Sequence, residues 1–158
     1  MPNIDILPEL TSVKAMRAIA LTEANEKISL ENIELSLPQC NDNELLIKVE
    51  YVGLNPLDAE YAKTGFCHWQ YPHVVGLDAV GIVVSAPKGV YPNVGERVMW
   101  HASMGGQGVL SEYAKVPNYA VSVVPDTVKT EQAATLPCAG MTALISLEKL
   151  QVSEGNTL

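Results

Sequence analysis

Apolar and polar positions alternate with a period of two along most of this chain. MRAIALT (16–22) and KISLENIEL (27–35) are separated by a polar stretch at EAN, and the second run alternates, so both read as strands. Leu37-Pro38 closes the second run, and PQCNDNE follows as a turn-rich loop. ELLIKVEYVGL (44–54) is the strongest strand, with Leu45, Ile47 and Val49 on one side and Leu46, Lys48 and Glu50 on the other. Asn55-Pro56 breaks it, and PLDAEYAKTG predicts a short helix stopped by Gly65. FCHWQYPH is an irregular aromatic loop. After it come strands at ERVMWH (96–101), VLSEYAKV (109–116) and AVSVVP (120–125), with turns rich in proline and glycine between them. Thr130 is placed to cap a short helix, TEQAATL. Met141, Leu144, Ile145 and Leu147 then recur at three- and four-residue steps, which predicts an amphipathic helix over 139–150.

One run breaks the alternation. VVGLDAVGIVV (74–84) is apolar throughout except for Asp78. An ionised carboxylate buried without partners costs several kcal/mol or more. Either the strand bends Asp78 toward water, or partners wait for it inside. Gly76 and Gly81 bracket it, where a bulge or bend would re-aim the side chain. Many short strands with few helices predict a mainly β chain folded as a Greek-key or partly open barrel. Residues 1–14, polar and without sustained period, read as an N-terminal extension; 15–137 form the main domain, and 138–158 a connecting helix and the start of something further.

Bulk properties narrow the function. At 158 residues, 47% hydrophobic and 18% charged, the chain is long enough for one domain with a sizeable core. A net charge of −8 speaks against binding nucleic-acid phosphates. No apolar run has the ~18 residues of a membrane helix, and the N-terminus lacks a secretory layout, so a soluble cytoplasmic protein is expected. Cys40, Cys67 and Cys138 show neither a disulfide framework nor a C-x-x-C pair and read as reduced thiols.

The glycine-rich MGGQGVLS (104–111) is no nucleotide loop, because a strand rather than a helix follows it, and the helix N-terminus is what supplies the donors. His68, His73 and His101 lie far apart in sequence and form no H-x-x-x-H pair, so surface or packing roles are expected for them. Asp58, at a helix start, suits the helix dipole.

Five motifs in order carry a resemblance: GLNPLD (53–58), VVGLDAVGIVV (74–84), VGERV (94–98), LSEYA (110–114) and LPCAGMTAL (136–144). Together they resemble the N-terminal, GroES-like catalytic domain of the medium-chain dehydrogenase/reductases, and most of all the zinc-independent quinone oxidoreductase branch. The resemblance runs from about Met16 to the end of the chain. It implies a partly open β-barrel that stops before the Rossmann domain, where this family binds its cofactor.

Further implications follow from that resemblance. Zinc-dependent relatives carry a cysteine, a histidine and a third ligand where this chain has Asn55, Leu77 and Cys138. One thiolate of three ligands does not hold a catalytic zinc, so no metal is expected, and Cys138 becomes a relic or a packing residue. The complete enzyme would use NADPH to reduce a quinone or an enone, whose developing charge delocalises onto oxygen without a Lewis acid. Asn55, Asp78 and Tyr61 are the catalytic candidates: Asn55 as a non-titrating donor, Asp78 mainly as support in the cleft floor, Tyr61 on the substrate side. Asn55 and Thr142 would adjoin the nicotinamide. This stretch alone is expected to bind no dinucleotide tightly and to turn over nothing, and a homodimer is possible. Alternatives are a stand-alone GroES-like binding or assembly module, or a zinc-dependent alcohol dehydrogenase with altered ligands.

Overall fold

The computed structural model describes residues 4–156 as nine strands and three α-helices. The strands are β1 (Ile4–Ile6), β2 (Ala15–Leu21), β3 (Leu30–Ser36), β4 (Glu44–Gly53), β5 (His73–Val74), β6 (Asp78–Pro87), β7 (Arg97–His101), β8 (Tyr113–Pro117) and β9 (Val121–Val123). The helices are α1 (Pro56–Thr64), α2 (Thr130–Ala133) and α3 (Leu136–Lys149). One sheet runs β8-β4-β6-β7-β9, and a smaller one runs β3-β2-β5. The expected mainly β, partly open barrel is what the chain forms.

The alternation seen in the sequence becomes inside and outside. In β2, Met16, Ala18 and Ala20 are buried while Ala15, Arg17 and Ile19 face out. The apolar run of β6 is explained by its position: β4 pairs along one edge and β7 along the other, and both faces are covered. Its Ala79 and Val83 join Leu45 and Ile47 of β4, and Val98 and Trp100 of β7, in the main core.

Four expectations are adjusted. The N-terminal extension is bound to the sheet: β1 pairs with β6 at Ser85–Pro87, beyond the stretch that β7 covers, and Leu10 is buried against Leu46 and Val84. Of the two glycines that bracket Asp78, Gly76 makes the expected bend, at φ +91°, while at Gly81 the irregularity lies in the facing strand β4, where the register shifts between Val49 and Tyr51. The strand expected over 109–116 begins only at Tyr113. Residues 108–110 instead bond to the backbone of Val74, Val75 and Gly76, and Ser111 bridges to Ala18. Lys129, not Thr130, is the N-cap residue of α2.

Helix α3 starts at Leu136, before the predicted boundary, with Pro137 in its first turn, where a missing N–H costs nothing. Among the described residues it buries only Pro137, and Met141, Leu144, Ile145 and Leu147 are exposed. Its apolar stripe is therefore uncovered. No helix among the described residues is long and apolar enough to cross a membrane.

Candidate active site

Asp78 is 1% exposed, and partners wait for it inside. It begins β6, directly after a turn in which Gly76 adopts φ +91°, a conformation that L side chains rarely take. Across the sheet it pairs with Gly53 of β4 on one side and with His101 of β7 on the other. Directly opposed residues of antiparallel strands share a face, so His101 meets Asp78, with Nδ1 and Oδ1 2.6 Å apart. Gly53 is required by packing: a Cβ there would lie 2.2 Å from the Ala134 carbonyl oxygen.

Two residues beyond Gly53, Asn55 caps α1. Its backbone N–H donates to Asp58 Oδ2 at 2.7 Å, and Pro56 follows at the helix start. Its side-chain Nδ2 donates to Asp78 Oδ2 at 3.0 Å. The same carboxylate oxygen accepts the backbone N–H of Cys138 at 2.9 Å. That N–H lies in the first turn of α3, where backbone donors have no partner within the helix. Thr135, the N-cap residue, makes no side-chain bond to it, and its hydroxyl donates to Gln132 O. Asp78 thus caps α3 from another element, with its negative charge at the positive end of the helix dipole.

The two nearby carboxylates have different tasks. Asp58 is partly buried, and its Oδ1 has no hydrogen-bond partner. Burial, followed by the neighbouring Asp78 charge, pushes its carboxyl above the usual aspartate value, against the lowering effect of the Asn55 N–H. Its structural role at the helix start matches the sequence reading.

The three histidines sort into three settings. His73 is 3% exposed and stacks on Trp69 at 3.7 Å, and burial lowers its pKa to about 4. His68 is exposed in the aromatic loop at φ +72°. His101 is the functional candidate that sequence spacing missed. The signal that finds it is cross-strand register, which places position 101 opposite 78.

Tyr61 is not brought to the Asp78 cluster. It packs edge-on against Phe66 and Trp69 and lines a cavity of about 10 Å³, room for about one water. Thr142 lies on α3 one turn beyond Cys138 and is exposed; positions four apart share a helix face. Beside them a groove of about 380 Å³ runs between β7, β9 and α3, lined among others by Trp100, His101, Ser122, Pro137 and Met141. His101, with 24% of its side chain exposed, belongs both to this groove and to the Asp78 cluster.

The zinc ligand positions of the resembled family do not fit a metal here: Leu77 is a buried hydrocarbon side chain and Asn55 is committed to Asp78. A different trio comes together instead. Ligand atoms of Asp78, His101 and Cys138 lie within 4.8 Å of one another.

The sequence pattern of the alcohol dehydrogenase GroES-like domain matches residues 41–126. The chain belongs to that family. A zinc-type alcohol dehydrogenase-like protein of Staphylococcus epidermidis is 30% identical over 85% of this chain and 40% of its own length. An NADPH-dependent alkenal/one oxidoreductase of Arabidopsis thaliana chloroplasts is 29% identical, covering 98% of this chain and 43% of the relative. Among solved structures, the quinone oxidoreductase of Coxiella burnetii superposes with a TM-score of 0.83 at 27% identity, over 90% of this chain and 47% of that one. The family member described here spans about 40% of the length of such curated relatives.

Proposed function

We propose that this chain is the catalytic-domain part of an oxidoreductase that transfers hydride from NADPH to a quinone or an activated alkene without the family's catalytic zinc. The observation that carries this reading is the Asn55–Asp78 hydrogen bond at a position where zinc-binding relatives place a metal ligand. Similarity to a quinone oxidoreductase and to an NADPH-dependent alkenal/one oxidoreductase supports the acceptor and cofactor classes. The exposed stripe of α3 and Thr142 are the surfaces this chain offers toward a nicotinamide-binding partner domain. When bound, the dinucleotide supplies the hydride.

The chain's own residues hold and polarise. Asp78 takes one N–H of the Asn55 amide and so fixes its orientation, leaving the second N–H free to donate to the oxygen on which charge develops. One such preorganised donor is typically worth ~10²–10³ in rate. Asp78 itself is too buried to reach an acceptor molecule and acts by positioning. In the complete enzyme, Asn55→Ala should lower kcat for a benzoquinone or an enone by about 10²-fold with the fold intact by circular dichroism. Chelator treatment should leave the parent rate unchanged. Unchanged kinetics in Asn55→Ala, or activity that requires added zinc, would overturn this assignment.

A further inference from the structure

We infer that His101 is the proton donor of the proposed reduction, giving the proton on its Nε2 to an acceptor seated in the groove between β7, β9 and α3. The role rests on the reductase reading and adds the step that hydride transfer leaves open. Hydride arriving at the β-carbon of an enone pushes the alkene electron pair toward oxygen and leaves an enolate; a quinone likewise becomes a hydroquinone anion. Each needs one proton to become the neutral product. Neighbouring groups do not supply it: the Asn55 amide does not titrate, Asp78 is buried with both oxygens engaged, and Tyr61 packs against Phe66 and Trp69.

The groove and the Asp78 cluster meet at His101. Among the residues that line the groove, His101 alone carries a group that exchanges protons near neutrality. Much of the remaining wall is apolar, with Met99, Met141 and Leu144 suited to the hydrocarbon body of an enone. Nδ1 lies 2.6 Å from Asp78 Oδ1, and an ionised carboxylate only accepts, so Nδ1 carries a proton and faces inward. Nε2 has no hydrogen-bond partner among the described residues and keeps exposed surface, which leaves it to meet the acceptor. A carboxylate behind an imidazole fixes its orientation and steadies the ring while it carries the extra proton. In the step itself the Nε2–H bond breaks and its electron pair stays on the ring. A C–H bond forms at the α-carbon of the enolate, or an O–H bond at the hydroquinone oxygen. Solvent then returns a proton to Nε2, so each turnover consumes one proton beside the hydride. Asn55 and His101 bond to the same carboxylate, so the group that holds the oxygen and the group that protonates are placed from one anchor.

Two acceptors read the role in the complete enzyme with NADPH. One is an α-methyl cyclic enone, whose protonation creates a stereocentre at the α-carbon. The other is a chlorinated benzoquinone, whose weakly basic hydroquinone anion takes its proton from water. His101→Ala should lower kcat for the enone by ~10²–10⁴-fold with KM nearly unchanged, and lower the quinone rate far less. The parent should give one enantiomer at the α-carbon and the variant a mixture of both, and added imidazole should restore the variant's enone rate. Without cofactor, para-nitrophenolate, a planar oxyanion like the enolate, should bind the chain and shift the nitrogen NMR signal of His101 Nε2. His101→Ala should weaken that binding ~10–100-fold, the range of one charge-assisted hydrogen bond. An enone rate in folded His101→Ala equal to the parent's, or equal losses with both acceptors, overturns the role. If the variant does not fold, the parent decides: a product racemic at the α-carbon, or no nitrophenolate shift at Nε2, overturns it. A parent inactive with both acceptors overturns the reductase reading and this role with it, whereas a parent active with both and indifferent to His101 overturns the role alone.

Discussion

Replacing Asp78 separates two kinds of loss that the structure lets one calculate. Asp78→Ala removes the acceptor for three donors at once: Asn55 Nδ2, His101 Nδ1 and the Cys138 N–H. Hydrogen bonds to a charged group contribute about 1.5–3 kcal/mol each, and a buried donor left unpaired costs about 1–3 kcal/mol. Asn55 and His101 are partly exposed and can turn to water, so each recovers much of its loss. The Cys138 N–H is fixed in the backbone of α3 and has no such recourse. The sum is about 3–5 kcal/mol for alanine. Asp78→Asn behaves differently. Its carbonyl oxygen can accept from Asn55 and Cys138, while its NH₂ donates to His101 Nδ1 in the tautomer protonated at Nε2. All three bonds survive as neutral ones, at a cost of about 1–2 kcal/mol. Urea unfolding of the chain, followed through Trp69 and Trp100, measures both values. Equal losses for the two variants, or an alanine variant within about 0.5 kcal/mol of the parent, would show that this network does not hold α3.

His73, with a folded pKa of about 4 against an ordinary 6.5, binds protons more readily in the unfolded chain. Stability should therefore be complete above pH 6.5 and fall as pH drops toward 4, by up to about 3 kcal/mol. Asp58, held above its ordinary range by burial, works in the opposite sense, gaining as it protonates. The comparison that isolates His73 is thus with His73→Phe, whose stability should lose that component of the acid slope; an unaltered slope would refute it. Gly53→Ala should cost about 1–3 kcal/mol, because its Cβ must displace the Ala134 carbonyl at the α2–α3 junction, and a midpoint equal to the parent's would show the junction gives way freely. Arg97 donates to Thr130 Oγ1, Pro125 O and Val128 O. Arg97→Met should cost about 2 kcal/mol and speed amide exchange across 125–130, with unchanged exchange counting against that role.

Much of the fold was legible because it is local. The alternation of β2 and the proline start and glycine stop of α1 are each written among neighbouring residues. What escaped depends on pairing between distant segments. Residues 109–112 have strand-like composition, but their backbone bonds are divided among Val75, Gly76, Arg17 and Ile19, and only Glu112 reaches β4, at Val49, so no continuous ladder forms there. The first residues show no periodicity because β1 has only three residues, and one edge of β6 decides their place. The site divides the same way. Asn55 and Asp78 could be named from the motifs around them. His101 could not, since the fact that matters is its register across β6, 23 residues away. Tyr61 looked suitable beside the cleft, yet its ring packs from α1 against Phe66 and Trp69 of the aromatic loop, a tertiary preference no spacing reveals.

The capping of α3 by Asp78 has a mechanical side. A helix of 14 residues is a rod of about 21 Å, and here one end is pinned to a carboxylate while the long apolar side hangs free. A load applied near Leu144 or Leu147, by whatever comes to rest on that side, acts on a lever whose fulcrum is the Cys138–Asp78 bond. Asn55 and His101 bond to the same carboxylate, so the anchor of the rod and the side chains lining the site share one group.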